Sequence, residues 1–284
     1  MNICQTVEEI RAEVRGYRAA GEQVALVPTM GYLHAGHMRL VEKAHQIADR
    51  VIVWVFVNPT QFERADDLAA YPRDLERDLS MLRDAEVDAV FTPDAGEIYP
   101  EGAETIVETT RLAGMLHGAV RPGHFRGVTT VVAKFFNIIQ PDFALFGEKD
   151  YQQLQVIRRM VRDLHMPVEI VPVPTVREAD GLAMSSRNVR LSATDRKAAI
   201  VLSRALDTAE RTAKEGGTIA GLRDAIERVV ASEPRGELAG LDIVRAESLE
   251  EIDGPLDGPT AIMISVNFGD VMLIDQRVVT PGKE

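Results

Sequence analysis

Residues 24–57 read VALVPTMGYLHAGHMRLVEKAHQIADRVIVWVFV, and their pattern decides the fold. Residues 24–30 form an apolar run of strand length, Gly31 opens a turn, and from Gly36 to Asp49 apolar residues recur near helical spacing. Residues 51–57 are then apolar without a break. A strand exposed on one face alternates apolar with polar side chains, so an unbroken apolar strand implies cover on both faces, as in a parallel sheet sandwiched by helices. The expected unit is strand, glycine-containing loop, helix, strand.

The same alternation extends outward in both directions. Upstream, Thr6 with Glu9 makes a capping-box pattern and Gly21 stands where the helix would stop, which predicts a helix over residues 6–20. Downstream, the pattern predicts a helix near 74–84, a strand at 89–93, a helix at 128–139, a strand at 143–148, a helix at 152–164 and a strand at 168–173. That succession is α/β, with a doubly wound parallel sheet. The stretch 172–188, PVPTVREADGLAMSSRN, has two prolines, a glycine and little periodicity, so a domain junction is placed within it, dividing the chain into 1–175 and 176–284. Beyond it, helical patterns at 193–213 and 219–231 precede LDIVRAESL and a hairpin whose turn is Asn267, Phe268, Gly269 and Asp270. These imply a smaller C-terminal α+β domain. No internal repeat or low-complexity tail is visible.

Composition bounds the function. The 284 residues, 45% of them hydrophobic, suffice for one large core or two moderate ones, which excludes a disordered or fibrous chain. A formal net charge of −12 repels the phosphates of DNA and RNA, so no nucleic-acid partner is expected; an anionic substrate would need positive charge gathered locally. The single cysteine, Cys4, allows no internal disulfide and no cysteine-built metal centre, which fits a reducing cytoplasm, and Cys4 reads as an ordinary thiol. The opening MNICQTVEEI lacks the basic and apolar regions of a secretory signal, and residues 51–57 are too few to cross a bilayer, so no membrane role is expected.

Three motifs carry chemistry. In PTMGYLHAGH, His34 and His37 lie three residues apart between a core strand and a helix start, where unpaired backbone N–H groups and the helix dipole favour phosphate. Gly36 would admit a base or ribose close to the backbone. A pair of capping or packing histidines, or a two-histidine metal site, fits the spacing as well, although no acidic or cysteine ligand stands beside them in sequence. In FALFGEKDYQQLQ, Gly147, Glu148, Lys149 and Asp150 fall at the end of a later strand, where open α/β sheets bind ligands. Lys149 would bring a point charge to phosphate and Asp150 would hold a ribose hydroxyl or a solvated Mg²⁺, though a solvated turn explains the four residues too. Of the amides that follow, Gln153 shares a helix face with Asp150. In GLAMSSRN, Ser185, Ser186 and Arg187 could gather the charge of a departing pyrophosphate, or form a surface turn rich in small residues. VNPTQF, at the end of a core strand, offers Asn58 and Gln61 to a polar substrate, and RPGHFRG adds Arg121 and His124.

Together PTMGYLHAGH, VNPTQF, RPGHFRGVTTVV, FGEKDYQQL and VPTVREADGLAMSSRN resemble, in order and spacing across residues 24–190, the pantothenate synthetase (pantoate–β-alanine ligase) family. HAGH corresponds to the His-x-Gly-His signature of a wider nucleotidyltransferase superfamily, and AMSSRN is similar to its mobile loop. The C-terminal third is less diagnostic. The resemblance implies a Rossmann-like N-terminal domain that binds ATP and pantoate, a smaller C-terminal lid, a homodimer, ATP with Mg²⁺, and joining of pantoate to β-alanine through a pantoyl adenylate. It also implies residue roles. Met30, Gly31, Tyr32, Leu33, His34, Ala35, Gly36 and His37 would line the ATP site, with His34 and His37 on the phosphates. Gly147, Glu148, Lys149, Asp150, Val176, Met184, Ser185, Ser186 and Arg187 would complete it. Gln61 and Gln153 would hold pantoate, and Arg121 and His124 would lie near the entrance. The acidic cluster that some members use near magnesium is matched only in part, Arg77 standing before Asp78 where a second carboxylate is expected, so no protein metal ligand is assigned.

Overall fold

The computed structural model describes residues 1–62 and 65–282. In chain order the first unit contains β1 (Asn2–Cys4), α1 (Val7–Ala19), β2 (Val24–Thr29), α2 (Ala35–His45), β3 (Arg50–Val55), α3 (Ala65–Ala69), α4 (Leu75–Asp84), β4 (Ala89–Phe91), α5 (Ala95–Ile98), α6 (His117–Val120), α7 (His124–Ile139), β5 (Phe143–Gly147), α8 (Tyr151–Asp163) and β6 (Glu169–Val173). The second contains α9 (Ala193–Ala198), α10 (Val201–Lys214), α11 (Ile219–Ala231), β7 (Glu237–Arg245), β8 (Thr260–Phe268) and β9 (Val271–Val279). Backbone contacts group residues 1–147 with 152–173, and 148–151 with 174–284, so the short segment after β5 belongs with the second unit although the strand before it and nearly all of the helix after it belong to the first.

In the first unit six parallel strands run in the order β1-β4-β3-β2-β5-β6. Alternate strand residues explain the two apolar faces. Leu26, Ile52, Trp54, Phe91 and Phe146 point into a core with Ile10 and Val14 of α1, much of α7, and Leu154 and Ile157 of α8. Their neighbours Ala25, Val27, Val51, Val53 and Leu145 point the other way, against Leu40, Val41 and Ala44 of α2 and Leu79 and Leu82 of α4. Period-2 side chains buried on both faces produce the unbroken apolar runs seen in sequence. The fold is the expected doubly wound α/β sheet. The chain winds from β2 through β3 to β4 in one direction and resumes at β5 on the other side of β2, which makes the C-terminal ends of β2 and β5 the topological switch point.

The second unit is a three-stranded antiparallel sheet, β7-β8-β9, whose apolar face packs on α10 and α11. Phe268 pairs with Val271, so the hairpin turns on two residues, Gly269 at φ +58° and Asp270. The single helix expected at 193–213 is broken in two at Ala199 and Ile200, and α7 begins four residues earlier than the expected Val128, on a left-handed Gly123.

Phe135 is fully buried and stacks on Trp54 with ring centroids 3.2 Å apart, with Phe91 at 5.5 Å edge-on. Replacing it with alanine removes an aromatic from the centre of one face, and we expect Phe135→Ala to cost ~3–5 kcal/mol. The single tryptophan, Trp54, reports the change directly: urea unfolding followed by its fluorescence should show a lower midpoint. Burial pushes the Cys4 thiol up to about 11, with Glu13 and Glu9 adding to the shift. At pH 8 its reaction with a disulfide reagent should therefore be on the order of 10²-fold slower in the folded protein than in urea; equal rates would contradict that burial.

Candidate active site

The turn that leaves β2 is held from far away in sequence. Gly31 at φ +78° and Tyr32 at φ +51° are successive left-handed residues, a backbone that needs support. Asp78 of α4, 1% exposed, supplies it: its two carboxylate oxygens accept the N–H groups of Tyr32 and Leu33, each at 2.7 Å. A Cβ on Gly31 would stand 3.0 Å from Asp78 Oδ2 and 3.2 Å from Val55, which with the positive φ explains the glycine. Arg77 donates to the Leu33 carbonyl at 2.9 Å and lies over the Tyr32 ring, 5.3 Å from its centroid. Thr29 accepts the Gly31 N–H at 3.2 Å while its hydroxyl donates to the Trp54 carbonyl.

The two histidines follow as the cap of α2. His34 is the N-cap residue; its Nδ1 accepts the Gly36 N–H at 3.1 Å, and His37 Nδ1 accepts the His34 N–H at 3.3 Å. The rings lie 4.1 Å apart at a 40° tilt. The N–H groups of His37 and Met38 bond to the His34 carbonyl. Of the backbone donors expected to be unpaired at this helix start, those of His34, Gly36, His37 and Met38 have partners within the turn. An Nδ1 that accepts leaves the ring proton on Nε2, so both imidazoles are set in the tautomer whose Nε2–H donates.

A second cluster in the same unit brings together Met30, Asn58, Gln61 and His124. Asn58 caps a one-turn 3-10 helix, Pro59–Gln61. It is 1% exposed, donates to Gln61 Oε1 and the Gly127 carbonyl, both at 3.1 Å, and accepts from Thr60 and from the Tyr99 hydroxyl at 2.8 Å. Both its amide protons are engaged within the fold, one on a side chain and one on the backbone. Burial raises the Tyr99 phenol above its ordinary value, which keeps it a donor. Gln61 is half-buried and donates to the Met30 sulfur at 2.9 Å. His124 Nδ1 meets the Gln61 carbonyl at 2.8 Å; a carbonyl only accepts, so this nitrogen carries the proton. Gly127 lets the two elements meet, since a Cβ there would lie 2.4 Å from the Thr60 carbonyl oxygen. Arg121 is the C-cap residue of α6, three residues before His124. Along α8, Gln152 and Gln155 are buried and Gln153 is half-buried.

In the second unit Glu148, Lys149 and Asp150 form one 3-10 turn immediately after Gly147 closes β5. Lys149 Nζ is 3.9 Å from Asp150 Oδ1, an ion pair too long to be a hydrogen bond. Residues 176–184 double back, the Met184 N–H bonding to the Val176 carbonyl and Arg177 bridging Ala183. Arg177 anchors this loop through two bonds, 2.7 and 2.9 Å, to Asp275, a carboxylate 1% exposed. Ser185 then caps the 3-10 turn Ser186–Arg190 by accepting the Arg187 N–H at 3.2 Å, and Asn188 donates back to the Ala183 carbonyl. Ser185, Ser186 and Arg187 are each half-buried. Sequence reasoning gave Asp78 only a doubtful metal role, and it missed the Arg77 contact to the turn, Tyr99, Gln152 and the Arg177–Asp275 pair. Each acts across a sequence distance that no local motif records.

Residues 2–278 match the model of the family described as pantoate-beta-alanine ligase. The chain belongs to the pantoate–β-alanine ligase family. The pantothenate synthetase of Rhizobium rhizogenes is 50% identical to it over 284 residues, covering 98% of this chain and 96% of that protein. That of Agrobacterium fabrum is 48% identical, covering 100% and 97%. The crystal structure of pantothenate synthetase from Thermus thermophilus superposes with a TM-score of 0.93 at 48% identity, covering 99% of this chain and 100% of that one. A Francisella tularensis pantoate-beta-alanine ligase complexed with beta-gamma ATP and beta-alanine gives 0.80 at 32% identity, covering 98% and 97%.

For this ligase the fit of a magnesium ion can be tested on side chains. Among the described residues no three of His, Cys, Asp or Glu gather to hold a metal. Asp78 has both oxygens on backbone N–H groups, and its neighbour Arg77 is a cation. In this structure the carboxylate of Asp78 is committed to the turn.

Asp78→Asn tests the turn. An amide keeps one acceptor but sets an NH₂ against the other backbone N–H, so the left-handed pair at Gly31 and Tyr32 loses half its support. The expected result is a KM for ATP raised ~10-fold, the scale of one lost charge-assisted hydrogen bond, and an unchanged KM would show that the turn holds without the carboxylate.

Proposed function

We propose that this enzyme condenses (R)-pantoate with β-alanine to give pantothenate, with ATP converted to AMP and pyrophosphate through an enzyme-bound pantoyl adenylate. The observation that carries the reading is the histidine pair, two Nε2–H donors fixed in tautomer at the C-terminal end of β2, beside the switch point where open α/β sheets bind nucleotides. Family membership and the relative complexed with an ATP form and beta-alanine support it.

A carboxylate is a poor acyl donor because oxide would have to leave. Attack of a pantoate carboxylate oxygen on the α-phosphorus of ATP expels pyrophosphate and converts that oxygen to part of an AMP leaving group. The β-alanine amine then attacks the acyl carbon, gives up a proton and displaces AMP. No side-chain nucleophile is required. The enzyme's task is to position the reactants and meet the charge that spreads over the phosphates. In this reading Met30 to His37 bind the nucleotide, His34 and His37 donate to its phosphates, and Gln61 and Gln153 hold pantoate, with Arg121 and His124 near the entrance. Gly147, Glu148, Lys149, Asp150, Val176, Met184, Ser185, Ser186 and Arg187 complete the nucleotide contacts on the strength of their motifs, within a catalytic domain 1–175 and a lid 176–284. Mg²⁺ enters as an ion carried by the triphosphate. A cytoplasmic homodimer completes the proposal; no helix among the described residues is long and apolar enough to cross a membrane.

Protein incubated with pantoate, β-alanine, ATP and Mg²⁺ should release AMP and pyrophosphate; ADP and phosphate would replace the adenylate with an acyl phosphate. Lys149→Ala and His37→Ala should each lose at least ~10²-fold in the rate of adenylate formation, the scale of one transition-state donor. Pantoate-dependent exchange of labelled pyrophosphate into ATP measures that step, and near-normal exchange in both variants would refute the roles.

A further inference from the structure

The segment Leu112 to His124 folds tightly against its own backbone. Gly118 has no room for a Cβ, which would lie 2.1 Å from the Ala113 carbonyl oxygen, and Leu116 holds φ 52° with ψ −123°, a backbone that a residue with a side chain rarely adopts. One buried side chain gathers the polar groups of this turn. Gln152 of α8, 3% exposed, donates to the carbonyls of Leu112 at 3.0 Å and Met115 at 2.7 Å, and accepts the His117 N–H at 3.1 Å. Both amide protons and the carbonyl are in use.

We infer that Gln152 is a positioning residue for the acid substrate, a role resting on the reading above. Its neighbour in sequence is Gln153, and the turn it ties down runs directly into Arg121 and into His124, whose ring bonds the Gln61 carbonyl. A single amide therefore fixes the start of α8, with Gln153, relative to the segment that carries Arg121 and His124 near the entrance, the latter bonded to Gln61. The ATP-binding turn is held separately, by Asp78. Loss of Gln152 acts on pantoate and spares ATP.

Two variants and two readouts test this. Gln152→Leu removes all three bonds. Gln152→Glu keeps the shape and the acceptor for His117 but sets oxygens against two carbonyls. Both should raise the KM for pantoate ~10-fold or more, as small displacements of a binding group do, with the KM for ATP changed less than ~2-fold. Hydrogen exchange of residues 112–121 should rise in both variants while that of residues 30–37 stays at the wild-type rate. A parallel rise in the KM of both substrates, an unchanged KM for pantoate, or unchanged exchange at 112–121 overturns the inference. Should the wild-type enzyme form no AMP from pantoate, the functional reading fails instead, and the exchange measurement still decides whether Gln152 holds the segment.

Discussion

The carboxylate of Asp78 is the constraint on which the candidate site depends. Parallel sheets place their βα turns at one edge, but nothing in that rule fixes the shape of a particular turn. After β2 the chain adopts two left-handed residues in succession, Gly31 and Tyr32, and only the second has a side chain to strain. An ionised acceptor facing both following N–H groups offsets that strain with short, charge-assisted bonds. The support comes from α4, packed on the same face of the sheet as α2 through Leu79 and Leu82, so the shape of the turn is set by the packing of two helices rather than by its own sequence. His34 caps α2 one residue beyond Leu33, so the orientation of the imidazoles follows from the same carboxylate.

Capping and ligand binding are usually weighed against each other for histidines at a helix start, and in the proposed site they are one device. If Nδ1 of each ring accepts a backbone N–H, the imidazoles cannot exchange tautomers without breaking the cap. The bonds that satisfy the helix end also decide which nitrogen donates. The net charge of the chain is strongly negative, so a phosphate approaching this edge depends on such fixed local donors and on the helix dipole behind them.

What the sequence discloses follows from the range of the interactions involved. The core strands and amphipathic helices are legible because burial on both faces of a parallel sheet leaves its periodicity in contiguous residues, and Thr6 with Glu9 forms the capping box that its spacing predicts. β1, only three residues long, leaves no period to detect, and it exists because β4 offers it an edge. The start of α7 was hidden by Pro122 and Gly123, which read as loop although Gly123 is the left-handed N-cap residue. In the site, His34 and His37 are adjacent enough to be seen, whereas Asp78, Tyr99, Gln152 and the Arg177–Asp275 pair act over separations of 35 to 98 residues.

Amides show why residue type in a motif is insufficient and valence decides. Asn58, Gln61, Gln152 and Gln153 lie in two short motifs and are chemically equivalent on paper. Asn58 and Gln152 are buried with both protons on backbone or amide oxygens, so a ligand could reach them only by unmaking a well-satisfied interior group. Gln61 differs in its partner. Its Nε2 donates to the Met30 thioether, a weak acceptor that a carboxylate or hydroxyl oxygen readily replaces, and Met30 itself opens the turn that Asp78 shapes. A half-buried amide resting on sulfur is thus held in place by a bond that exchanges readily, which suits the role proposed for Gln61 in binding and releasing a small acid.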